Sequence, residues 1–308
     1  MKRQRGGGHR RRRAAAARAA VCAAVCAASA RPSPCAPAPA PAPYAATRPP
    51  TPRSPRPSPT HPPAGAHLDV VARRDFVVLR PLRLVLENVP ADAPPALLPA
   101  PDFPRDPAAG THPVSLSRVV WIEAGDFRLA DSPDFYGLAP GKVVGLRHAG
   151  YVRATGHTVD PGTGAVTEVR GLYDAARSAD FAGRDAAGRE AKVRGNLSFA
   201  SGGAPTVEVR LYDHLFSTDA PGSTGDWEAE LSPASETVLA GARANPHLCA
   251  PGVAPRGAHV QAERVGYFVV DADTDETPVP GEDGAPPRVR RLVLNLTVGL
   301  KEAAAAKA

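Results

Sequence analysis

Between Phe76 and Leu300 the apolar residues come in short alternating runs, and almost no stretch repeats them at helical spacing. The clearest run is Thr206–Tyr212. Val207, Val209 and Leu211 fall on one face, and Glu208, Arg210 and Tyr212 on the other. Alternation of this kind suits a strand, whose side chains point to opposite faces with a period of two. Similar runs stand at Phe76–Arg80, Leu82–Glu87, Arg118–Ile122, Lys142–His148, Gly150–Thr155, Ala165–Leu172 and Lys192–Ser201, and Glu236–Ala244 reads as a strand with a short helix as the alternative. Arg288–Leu300 closes the series, with Leu292, Leu294, Leu296, Val298 and Leu300 on one face. Asp160–Gly164 reads as a hairpin turn between two of the runs. Stretches 90–113, 126–141, 178–190, 220–233 and 271–287 read as connecting loops, and Pro81 marks an edge or a corner. The body is therefore expected to be all-β, as two barrels or sandwiches.

The first 66 residues are of another kind. They hold no Asp or Glu, twelve Lys or Arg, and long Ala and Pro/Ala/Ser/Thr stretches. Such a segment buries too little apolar surface to offset chain entropy, so a disordered extension is expected. Its acid-free, Arg-rich composition matches an organellar transit peptide. A secretory signal fits less well, and translated sequence ahead of a truncated gene is the third reading. The overall charge of +6 comes from this segment. Removing its twelve cations from the chain's 37 leaves 25 basic against 31 acidic side chains, so the body is acidic. A nucleic-acid site there must be a local patch.

Cysteine use divides in the same way: Cys22, Cys26 and Cys35 lie in the extension and only Cys249 in the body. That excludes a disulfide framework for the body and fits a reducing compartment. His247 and Cys249 are too few for zinc. Asp271, Asp273, Asp275 and Glu282 imitate a calcium loop, but Glu276 occupies the position that needs Gly. A plain acidic hairpin is the better reading, and no metal site is expected. Asn196 and Asn295 head glycosylation sequons inside expected strands, which chance explains. No run of about 18 apolar residues occurs, so no membrane span is expected.

Gln261–Phe268 (QAERVGYF) carries the side chains that a sheet does not need. Val265, Tyr267 and Val269 alternate as one face, while Gln261 and Arg264 lie three apart. On a flat strand those two point to opposite faces, so a shared ligand requires a bulge or bend between them. A Gln and an Arg together offer the donors and acceptors that a base edge takes.

With these residues in view, the body resembles the C-terminal anticodon-binding region of eukaryotic-type, class I glutaminyl-tRNA synthetases. The resemblance rests on Leu82–Asn88 (LRLVLEN), Val120–Phe127 (VWIEAGDF), Phe135–Arg147 (FYGLAPGKVVGLR), Val207–Ser217 (VEVRLYDHLFS), Gln261–Phe268 and Asn295–Leu300 (NLTVGL), in order over residues 72–302. It implies two β-barrels behind the extension. The proximal barrel takes 67–85 and 200–302, the distal barrel takes 86–199, and 303–308 is a tail. It further implies that anticodon bases are gripped where the barrels meet. Arg74, Gln261, Arg264 and Arg147 stand at the family's base-reading positions, Arg74 for the middle base and Arg147 near the first. Arg105 matches a polar position in the crossing loop. Tyr136-Gly137 stands where many members carry the Lys-Arg pair of the third base, which leaves Tyr136 to act by stacking. Gly145 replaces a second arginine, and Ser198-Phe199 replaces a His-Trp pair.

The catalytic signatures of such ligases, HIGH-type and KMSKS-type, are missing, and the only Met is Met1. The chain alone is not expected to aminoacylate. No cofactor is expected in it, since ATP and Mg2+ would belong to the missing catalytic domain. The expected partners are the tRNA-Gln anticodon stem-loop and a separate or missing catalytic domain, with no membrane. The expected compartment is the cytoplasm, or an organelle if the extension is a transit peptide. Two other readings stay open: a glutamyl-type relative, and a β-barrel interaction module that no longer binds tRNA.

Overall fold

The computed structural model describes residues 64–183, 191–222, 225–281 and 285–300. The disordered extension expected before residue 64, the tail from 301, and Glu282 of the calcium-like stretch lie outside the described residues. Residues 64–66, assigned above to the extension, instead open a helix, α1 (Ala64–Val71). The rest is almost entirely strand.

The strands, in chain order, are β1 (Arg73–Asp75), β2 (Val77–Val78), β3 (Pro81–Leu86), β4 (Ala96–Pro101), β5 (Thr111–Leu116), β6 (Val119–Glu123), β7 (Val143–Leu146), β8 (Tyr151–Val159) and β9 (Val166–Asp174). After a single helical turn, α2 (Ala179–Ala182), come β10 (Asn196–Leu197), β11 (Phe199–Ser201), β12 (Thr206–Tyr212), β13 (Glu236–Ala244), β14 (His259–Ala262), β15 (Gly266–Val270), β16 (Asp275–Val279), β17 (Arg288–Arg291) and β18 (Val293–Gly299). Three expected loops hold structure of their own. Stretch 90–113 contains β4 and pairs it with β5, 178–190 contains α2, and 271–287 contains β16, which pairs with β17.

Two seven-stranded sheets curl into nearly closed barrels. The first runs β1-β14-β15-β18-β12-β13-β2, and the second β10-β7-β8-β9-β3-β6-β11. Their closure follows from chain connectivity. The edge strands of the first sheet, β1 and β2, are separated only by Phe76, so one short segment joins both rims. The edges of the second, β10 and β11, are separated only by Ser198. Closing a sheet on itself removes the exposed rims that invite aggregation.

The two barrels also share one pairing pattern. Reading across each sheet, the contacts run parallel, antiparallel, antiparallel, parallel, antiparallel, antiparallel. Thus β14 and β15 of the first correspond to β7 and β8 of the second, and the segment around Phe76 corresponds to that around Ser198. Each closing segment stands just ahead of the other barrel's first long strand, so the closing segments are exchanged between two copies of one design. The chain crosses from one barrel to the other at Pro81, which opens β3. A first strand position tolerates the missing N–H, and the Glu123 carboxylate accepts from the N–H groups of Leu79 (2.9 Å) and Arg80 (3.1 Å) at that corner.

Each barrel has its own apolar core. Leu84, Ile122, Val144, Leu146, Val152, Val169 and Phe199 belong to one, and Val209, Val260, Phe268, Leu292 and Leu294 to the other. Phe76 couples the two. It belongs to the first barrel's closing segment, yet its ring is packed in the core of the second. There it lies 5.6 Å from the Phe199 ring, edge-on, and 5.8 Å from the His148 ring, stacked. Cys249 is a buried free thiol, and burial, with the nearby Asp75 charge, pushes its pKa up to about 12. It is a small apolar filler rather than a reactive group.

Candidate nucleic-acid interface

Gln261–Phe268 is not one bent strand. It is the β14–β15 hairpin, closed by a tight turn in which the Val265 N–H donates to the Ala262 carbonyl (3.0 Å). Arg264 sits in that turn at a φ of 69°. A left-handed conformation costs a non-glycine residue about 1–2 kcal/mol. The turn thus supplies the bend that the spacing of Gln261 and Arg264 calls for.

The corresponding hairpin of the second barrel, β7–β8, carries the same turn. His148 has a φ of 61°, and the Ala149 N–H donates to the Leu146 carbonyl (3.0 Å). The two turns meet. Glu263, 5% exposed, lies against Arg147 and His148, its carboxylate ion-paired with Arg147 Nε and 3.9 Å from His148 Nε2. The Ser198 hydroxyl donates to the Glu263 carbonyl (3.3 Å), and the Glu263 N–H donates to the Asp75 carbonyl (3.1 Å). Burial alone would raise the pKa of Glu263. The contacts with His148, Arg147 and Arg74 outweigh it, and the carboxyl sits below the ordinary 4.5.

A carboxylate with a lowered pKa stabilises the fold above its unfolded value and loses that contribution as pH falls through the folded value. The expected result is a urea midpoint that drops as pH is lowered from about 5, with a shallower drop in Glu263→Gln. An unchanged pH profile in that variant would remove Glu263 as the hub.

Arg74 and Gln261 are direct neighbours, opposite each other across the parallel β1–β14 pair. Gln261 is buried, and its Oε1 has no hydrogen-bond partner among the described residues. A buried acceptor left unpaired costs about 1–3 kcal/mol. Arg74 Nη2 holds Asp69 of α1 (3.0 Å), and Asp69 also takes Arg105 Nη2 (2.7 Å) and the Tyr267 hydroxyl (3.1 Å). Arg264 reaches into the second barrel's territory and grips Asp126 with both Nη atoms (2.6 and 2.8 Å).

Two carboxylates therefore gather five of the six expected residues: Asp69 joins Arg74 and Arg105, and Glu263 joins Arg147 to the β14–β15 hairpin that carries Gln261 and Arg264. Each guanidinium has five N–H donors, and its carboxylate leaves some of them open. Tyr136 is exposed, and among the described residues it shares no hydrogen bond, ion pair or ring contact with the other five.

Asp69, Asp126 and Glu263 were not singled out in the sequence. Glu263 alone had a usable signal, a charge inside a run with alternating apolar residues. Behind the hairpin lies a second buried polar group. The Asp75 carboxylate accepts from the Phe76 N–H (2.7 Å) and the Asn245 amide (2.8 Å), and lies 3.4 Å from His247 Nδ1. It anchors the closing segment of the first barrel.

Close packing leaves little room for a side chain at Gly137 and Gly145. A Cβ at Gly137 would lie 2.3 Å from the Phe135 ring and 2.4 Å from the Asp126 carbonyl oxygen. A Cβ at Gly145 would lie 2.0 Å from Asn196 Oδ1. Neither position admits a side chain without a shift of its neighbours.

Residues 72–174 match one family model and residues 199–271 a second, both described as tRNA synthetases class I (E and Q), anti-codon binding domain. Together the matched segments make up more than half of the chain. The chain belongs to this family. These anticodon-binding domains are 35% identical over 236 residues to a probable glutamine–tRNA ligase of Dictyostelium discoideum, covering 76% of this chain and 27% of that protein. Against the probable glutamine–tRNA ligase of Drosophila melanogaster they are 36% identical over 245 residues, covering 78% and 28%. Against the cytoplasmic glutamine–tRNA ligase of Arabidopsis thaliana they are 34% identical over 243 residues, covering 76% and 27%. The chain thus spans just over a quarter of the length of these curated relatives. Among the described residues, no helix is long and apolar enough to cross a membrane, and no group of three or more His, Cys, Asp or Glu is placed to hold a metal ion.

Proposed function

We propose that the two barrels bind the anticodon of tRNA-Gln at their junction, as the anticodon-reading part of a glutamine–tRNA ligase that acts in the cytoplasm. On this reading the first sheet is the proximal barrel and the second the distal one. The ligation step, with its ATP and Mg2+, belongs to a catalytic domain of the whole ligase and not to the barrels. The observation that carries the proposal is the Arg74–Gln261 pair. It sets guanidinium donors beside a buried acceptor that has no hydrogen-bond partner among the described residues, within the charge cluster that joins the two barrels. Unstacked RNA bases are read in this manner, by hydrogen bonds along their edges. A base that enters must part the side chains over Gln261 and share Arg74 with Asp69. The relatives named above are all glutamine ligases, which favours glutamine over a glutamyl-type specificity.

The test is a filter-binding titration with a tRNA-Gln transcript and an unrelated tRNA. The expected result is tighter binding of tRNA-Gln and its loss in Arg264→Ala, with the circular dichroism spectrum unchanged. Equal binding of the two tRNAs by the wild-type chain would instead favour the interaction-module reading.

A further inference from the structure

The correspondence between the barrels assigns a counterpart to the Arg74–Gln261 pair. Arg74 lies opposite Gln261 across β1–β14, and in the second barrel Asn196 lies opposite Gly145 across β10–β7. The strand pairs are equivalent, and so are the turns that follow them, at Glu263-Arg264 and Arg147-His148. In the second barrel the position equivalent to Gln261 has no side chain, and the Asn196 amide lies over it. Asn196 is exposed, one residue from Leu197, whose carbonyl accepts the Arg147 N–H (2.9 Å).

The segment leading to Asn196 alternates in exposure. Lys192, Arg194 and Asn196 are exposed, while Ala191, Val193 and Gly195 are half-buried. Gly195 is packed so closely on Tyr136 that a Cβ would lie 1.8 Å from the Tyr136 carbonyl oxygen. That places the exposed Tyr136 beside the row. Lys192 and Arg194 also line a hollow of ≈ 630 Å3 with Lys142, Arg153, Asp131 and Phe135. Lys142 is held by Asp131 (2.6 Å), and Arg153 lies over the Phe181 ring (4.7 Å). No carboxylate is within ion-pair distance of Lys192 or Arg194 among the described residues. On an acidic body this hollow is a local cationic patch, with four cations to one carboxylate among its charged lining.

We propose that residues 192–196 form a second nucleotide subsite, in which Asn196 reads the edge of an unstacked RNA base and Lys192 and Arg194 hold an adjacent backbone phosphate. An amide carries both a donor and an acceptor, as a base edge does. Among the described residues the one carboxylate that lines the hollow, Asp131, is engaged by Lys142, so the two cations suit a phosphate. Tyr136 offers a ring on which the same base stacks. The subsite rests on the anticodon reading for its partner, but not for its chemistry.

The experiment titrates the full chain with a tRNA-Gln anticodon stem-loop, its single-base variants and an unrelated hairpin, at several salt concentrations. For Asn196→Ala the expected result is a loss of discrimination at one base position, on the order of tenfold, with the salt dependence unchanged. For Lys192→Ala/Arg194→Ala it is weaker binding of every hairpin, with a log–log salt slope shallower by roughly 1.4. Arg80→Ala/Arg290→Ala, exposed cations away from the hollow, serves as the control. Wild-type slope in the hollow variant, an equal change in the control, or unaltered discrimination in Asn196→Ala overturns the subsite. Wild-type preference for no hairpin, with the slope still shallower in the hollow variant, overturns the anticodon reading and leaves the phosphate site standing. No RNA binding by the wild-type chain overturns both.

Discussion

Phe76→Ala is expected to lower the unfolding free energy by about 3–5 kcal/mol, the usual cost of emptying a core phenylalanine site. The residue is 1% exposed and fills the core of the barrel to which its own strands do not belong. Removing the ring leaves a cavity beside Phe199 and His148. It also loosens the link between the barrels, because His148 flanks Glu263, which binds Arg147. A urea titration measures the first effect, and tRNA affinity at low denaturant measures the second. Phe76→Leu refills much of the volume and should recover most of both. A loss of stability with tRNA affinity intact would mean that the cores are coupled through Phe76 but the binding residues are not.

The second large effect is on binding. Arg74→Ala should weaken the complex with tRNA-Gln by about 1–3 kcal/mol, roughly fivefold to 150-fold. The fold should tolerate the change, since Asp69 keeps Arg105 and the Tyr267 hydroxyl as partners. Arg74→Lys should not restore affinity. A lysine carries one compact charge, whereas the planar guanidinium holds Asp69 with one edge and offers N–H groups elsewhere. Recovery by lysine would reduce the role of Arg74 to charge alone.

Much of this arrangement could be read from the residues. Val207, Val209 and Leu211 alternate because the strand has a wet face and a core face, and β12 follows that pattern. Other parts were hidden for physical reasons. Stretch 90–113 is rich in Pro, Ala and Asp, residues that disfavour strands, yet β4 forms there because β5 pairs with it along its whole length. Such long-range pairing leaves no local trace. Gln261 and Arg264 were visible as polar intruders, but the turn between them was not, because Arg264 takes a left-handed conformation without being glycine. The carboxylates Asp69, Asp126 and Glu263 were silent because an acid in a sequence carries no sign of the arginine it will meet. The correspondence of Asn196–Gly145 with Arg74–Gln261 belongs to topology alone, since Asn196 stands at the position of an arginine and Gly145 at that of a glutamine.

The central claim is that the barrel junction reads the anticodon and does not merely hold the barrels together. The most direct measurement is the ratio of dissociation constants for the tRNA-Gln transcript and the same transcript with its middle anticodon base replaced. A ratio of about ten or more in the wild-type chain, collapsing toward one in Arg74→Ala, is the result predicted here. Equal affinity of the wild-type chain for both transcripts would contradict it.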